Sequence, residues 1–172
     1  MIGARWFCGM AALAVAGSMS IPATGAPWAD GLLTTHRLSA ALASSAARAV
    51  VASCAKEGYA ETAVVVDADG VRQALLRGDR AGSHTLDSAY DKAYTAASFK
   101  TDTSKLVALA RKNPGFTALF TQLPHLILLG GGIVIKVDGE TIGAIGAAGA
   151  PGARLDEACA HAGLDAIRDQ LE

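Results

Sequence analysis

Ile133-Val134-Ile135-Lys136-Val137-Asp138-Gly139-Glu140-Thr141-Ile142-Gly143-Ala144-Ile145 is the stretch from which the fold is read. Two β-prone runs flank Asp138-Gly139, a pair favoured in type I′ turns because both central residues there take positive φ. Pairing across that turn puts Ile133, Ile135, Val137, Ile142 and Ala144 on one face, and Val134, Lys136, Thr141 and Ile145 on the other. Both faces are substantially apolar. The sheet is therefore expected to be covered on both sides, by helices on one and by helices or a partner subunit on the other.

Working outward, Thr62 to Asp67 is rich in β-branched residues, Ala68-Asp69-Gly70 reads as a turn, and Val71 to Arg77 as the return strand. Leu126 to Leu129 is expected to add another strand. Thr34 or Thr35 is expected to cap a first helix that runs to about Lys56 and stops before Gly58. A second helix starts at Ser83 or Thr85 and ends before Lys100, and a third runs from Asp102 or Thr103 to Asn113-Pro114-Gly115. A short helical turn over Phe116 to Thr121 and a last helix from Arg154 to Leu171 complete the order. This predicts an α+β class, a single-domain, profilin-like sandwich over residues 32–172 with a mainly antiparallel five-stranded sheet and flanking helices.

The chain has 172 residues, room for one core. Residues 1–26 read as a secretory signal peptide: Arg5 gives the positive start, Met10 to Val15 and Ile21 to Ala23 the apolar part, and Ala23, Gly25 and Ala26 the small residues of a cleavage site. Gly17, Ser18, Ser20 and Pro22 break that run short of a membrane span. The expected mature chain is periplasmic or secreted, with no membrane span. In an oxidising compartment Cys54 and Cys159 become an even pair, and a disulfide between the terminal helices is expected. With 15 basic against 16 acidic side chains and no basic run, nucleic acid is not expected as a partner.

The chemistry-bearing block is Asp91-Lys92-Ala93-Tyr94-Thr95-Ala96-Ala97-Ser98-Phe99, in which small residues allow close approach of another surface. On its own it reads as core aromatics, Tyr94 and Phe99, with Lys92 paired to a carboxylate and Thr95 and Ser98 bonded back to the helix backbone. No Cys-x-x-Cys-His excludes covalent haem attachment, and no four-donor spacing supports zinc. There is no G-x-S-x-G elbow and no nucleotide-binding glycine fingerprint. Gly149-Ala150-Pro151-Gly152-Ala153-Arg154 before the last helix is a candidate anion site.

Together with Val64-Val65-Val66-Asp67-Ala68-Asp69-Gly70 and Gly130-Gly131-Gly132, the block resembles the GlcG/HbpS-type haem-binding family over roughly residues 36 to 170. The resemblance implies noncovalent haem b and a non-enzymatic or weakly enzymatic role in haem sequestration or sensing. It also implies a homo-oligomer and a sensor or transport partner. Carried onto this chain, it makes Lys92 a candidate to neutralise a propionate, Tyr94 to contact the ring, and Thr95 to approach the iron. His84, beside Arg77 at the start of the same helix, is the alternative iron ligand, with His36 second. His125 reads as structural. Two other readings stay open: an enzyme or accessory factor acting on a small carboxylate or corrinoid, and an oligomeric scaffold without ligand.

Overall fold

The computed structural model describes residue 31 and residues 33–171. The expected leader over residues 1–26 lies outside the described residues. The elements run α1 (Ala40–Lys56), β1 (Thr62–Asp67), β2 (Arg72–Arg77), α2 (His84–Phe99), α3 (Thr103–Ala110), α4 (Pro114–Gln122), β3 (Gly132–Val137), β4 (Glu140–Ala148) and α5 (Ala153–Asp165), with a 3-10 turn at Arg168–Gln170. Ser39 rather than Thr34 or Thr35 caps α1, its hydroxyl accepting from Leu42 N at 3.2 Å.

The strands form one antiparallel sheet in the order β2-β1-β4-β3. α1 and α5 cover one face, where Ala46, Val50, Val65, Ile133, Ile135 and Ile145 meet. α2 covers the other, against Val64, Val66 and Ala144. Burial on both faces explains why β1 and β4 lack the alternation of a half-exposed strand. α2 lies so close that a Cβ on Gly146 would run into the carbonyl oxygen of Ala89, which is why Ala89 and Ala93 face the sheet.

The expected five-stranded, profilin-like sandwich is corrected: the sheet has four strands, and residues 126–129 form none. Two contacts explain it. The amide of Ile127 donates to Thr95 Oγ1 at 3.0 Å and that hydroxyl donates to His125 O at 3.3 Å, so the segment is pinned to α2 by a side chain. The outer edge of β3 is meanwhile occupied by the start of α3, since Gly132 N donates to Thr103 Oγ1 at 2.9 Å and Val134 N to Asp102 Oδ1 at 3.1 Å.

The face assignment of the second hairpin needs a second correction. The I′ turn forms, with positive φ at Asp138 and Gly139. Beyond it the register slips between Ile135 and Lys136, leaving Ile142 as an extra residue in β4. The slip reverses the faces of everything after it, so Ile145 joins Ile133 beneath α1 and α5 while Ala144 turns to α2.

The expected disulfide is present: Cys54 on α1 and Cys159 on α5 are joined, with α-carbons 5.6 Å apart.

Candidate functional site

α2 positions most of the residues singled out in the sequence, but they do not converge. Lys92 is turned into the interior, where its ammonium meets Asp156 Oδ2 at 2.6 Å and donates to Ala147 O at 2.9 Å, leaving 3% of the side chain exposed. That charge is committed to a buried pair rather than offered to an external carboxylate. Thr95 is fully buried, with its hydroxyl occupied by the 125–127 segment. His84 is exposed at the first turn of α2, its ring folded against Gly82. Eleven helical residues separate it from Thr95, about 16 Å along the axis, so the two cannot meet one iron. Arg77 donates to Ala81 O and shapes the loop before α2. His36 pairs with Glu140 Oε2 at 2.7 Å beside the β3–β4 turn, and that carboxylate raises the imidazole pKa.

What the fold does bring together is Tyr90, Tyr94 and His125. Tyr90 and Tyr94 are one turn apart on α2, with ring centroids 5.8 Å apart. His125, delivered by the pinned segment, places its ring 5.1 Å from Tyr90 and 5.8 Å from Tyr94. Its Nδ1 lies 3.0 Å from Asp91 Oδ1, and its side chain is 52% exposed. The guanidinium of Arg72 on β2 lies 3.4 Å from the Tyr90 ring centroid. Gly70 gives the Tyr94 ring its place, because a Cβ there would come within 2.7 Å of Cδ2.

A carboxylate on Nδ1 fixes that nitrogen as the protonated one and leaves the Nε2 lone pair for a metal. Nε2 has no hydrogen-bond partner among the described residues. Half-exposed aromatic rings, one available imidazole nitrogen and one guanidinium form a donor set suited to an iron porphyrin with carboxylate side arms. Tyr90 was missed, although the spacing Tyr-x-x-x-Tyr puts it on the same helix face as Tyr94. His125 left no local signal, since 31 residues separate it from Tyr94 and only the tertiary path closes that gap.

A second buried group also went unread. Glu61 is 1% exposed, and its pKa is pushed up to about 8 by burial and by the neighbouring Asp156 carboxylate. Its Oε2 lies 3.3 Å from Cys54 Sγ. A half-cystine sulfur carries no hydrogen and donates nothing to that contact, which is van der Waals packing of the carboxyl against the disulfide. The anion site expected at Gly152 to Arg154 is met from within: Asp156, in the first turn of α5, accepts from Ala150 N at 3.0 Å. Among the described residues no group of three or more His, Cys, Asp or Glu is arranged to hold a metal ion, and no helix is long and apolar enough to cross a membrane.

The family model described as "Haem degrading protein HbpS-like" matches residues 38–165. A double mutant of HbpS from Streptomyces reticuli is 34% identical with a TM-score of 0.74, covering 86% of this chain and 99% of its own. HbpS in a further crystal structure is 35% identical with the same TM-score of 0.74, covering 80% of this chain and 94% of its own. A structure of a PduOC–haem complex is 26% identical with a TM-score of 0.72, over 77% of this chain and 96% of its own. A comparison with curated proteins returns no match.

Proposed function

The chain belongs to the HbpS-like family, a haem-associated family, and from that premise we propose that it is a periplasmic or secreted protein that binds haem b noncovalently against the outer side of α2, for sequestration or sensing. The observation that carries this reading is the imidazole of His125, tied through Nδ1 to Asp91 and flanked by two tyrosine rings. The haem complex of PduOC, a related fold, supports the same ligand class.

In this reading His125 Nε2 would hold the haem iron, and Asp91, on Nδ1, would keep the ring in the required tautomer and orientation. Tyr94 and Tyr90 give ring contact. Arg72 would meet a propionate, the role that the family resemblance implied for Lys92. Thr95 acts through the backbone, since its hydroxyl holds the 125–127 segment against α2 and so places His125. Haem held there would supply an iron centre for ligand-binding and redox chemistry.

Titration of the full chain with haemin, followed by the Soret band, tests the reading. Wild type and His84→Ala are expected to shift the band equally, and His125→Ala to lose the shift while keeping its far-UV circular dichroism. Asp91→Asn is expected to weaken binding by about tenfold, as loss of the carboxylate hydrogen-bonded to a ligating histidine does. An unchanged shift in His125→Ala would sink the assignment of the ligand, and no shift in wild type would sink haem itself.

A further inference from the structure

A cleft of about 730 Å³ runs along the outer edge of β3, away from the tyrosine stripe, bordered by Leu164 of α5 and by Arg168 and Leu171 at the 3-10 turn. An edge strand presents unpaired amides and carbonyls unless the fold covers them. Here the cover is partial. Asp102 and Thr103 take the outward amides of Val134 and Gly132. The alternation of an antiparallel ladder turns Lys136 outward with Val134, two residues further along. α3 has no counterpart there, so the Lys136 amide and the Val134 and Lys136 carbonyls face the cleft. These groups have the spacing of a polypeptide strand.

We infer that this edge accepts an extended peptide of alternating apolar and acidic residues as an added strand. Side chains of an added strand point alternately to the two faces. On the α5 side they meet Val137, Leu164 and Leu171, with His161 and Arg168 beside these apolar groups. On the other side they meet Lys136, which forms no ion pair among the described residues. Of the acidic groups that line the cleft, Asp102 is committed to Val134 N and to Lys105 Nζ at 2.8 Å, and Asp138 sits in the β3–β4 turn at the end of the cleft. A second copy of the chain is the poorer occupant, because isologous pairing through so short a free segment brings the two Lys136 side chains together.

The test is a fluorescence-polarisation titration of the full chain with labelled Val-Glu-Val-Glu-Val. Saturable binding is expected, weakened roughly fivefold by Lys136→Glu, an exposed substitution that reverses the charge. That variant is expected to prefer Val-Lys-Val-Lys-Val. Of two peptide isomers N-methylated on alternate amides, only the one whose methyl groups face β3 is expected to lose binding, and this control leaves the protein untouched. Equal binding of both isomers, no saturation by ~1 mM peptide, or a sedimenting dimer that excludes the peptide would overturn the inference.

Discussion

Glu61 shows how burial changes the chemistry of a single residue. A carboxyl whose folded pKa is raised from 4.5 to about 8 holds a proton that the unfolded chain releases. Its contribution to stability is complete below about pH 4.5 and is lost as pH rises through about 8, a fall on the order of a few kcal/mol. Urea midpoints measured from pH 5 to 9 are expected to decline in wild type and to flatten in Glu61→Gln, which keeps the shape and removes the titration. The exposed His36–Glu140 pair has the same sign, since the His36 pKa is raised by Glu140, so the variant isolates the buried group. An equally steep decline in Glu61→Gln would assign the effect elsewhere. Lys92 teaches the matching lesson: its identity as a charged residue in a small-residue helix was legible, but its direction was not, because helical periodicity does not say which face meets Asp156 across 64 residues of sequence.

At the scale of elements, hairpins and helices followed from local rules: the Asp138-Gly139 turn, the β-branched run before Gly70, and Pro114 at the start of α4. Two local readings failed for the same kind of reason. Residues 126–129 have strand-like composition, but Thr95 takes their amide before any strand can. The bulge at Ile142 left no mark in composition, yet it exchanged the faces of Ala144 and Ile145. The packing of α2 on β4 gives a sharp prediction. Gly146→Ala, whose methyl group meets Ala89 and Ala93 backbone, is expected to cost about 1 to 3 kcal/mol in chemical denaturation. Gly115→Ala, in open space on α4, is expected to be neutral or stabilising by about 0.5 kcal/mol. Similar effects at the two positions would deny the close approach.

For the whole molecule, the disulfide joins α1 to α5 across a separation of 105 residues and so ties together the two helices that cover one sheet face. Closing so long a loop restricts the unfolded chain, with a stabilisation of about 5 kcal/mol in the chain-entropy model. The double variant Cys54→Ala/Cys159→Ala is expected to lose about that much in urea unfolding, and reductant to lower the midpoint of wild type but not of the variant. Loss of less than about 1 kcal/mol would mean that helix packing alone holds the two ends. By itself the sequence determined the α+β class, the two hairpins, the cysteine pair and the family, because each rests on short-range pattern or on motif. Tertiary structure alone decided the four-strand count, the interior place of Lys92 and the meeting of His125 with Tyr90 and Tyr94. Those depend on contacts between residues far apart in the chain, and no local preference encodes which distant partner a side chain will find.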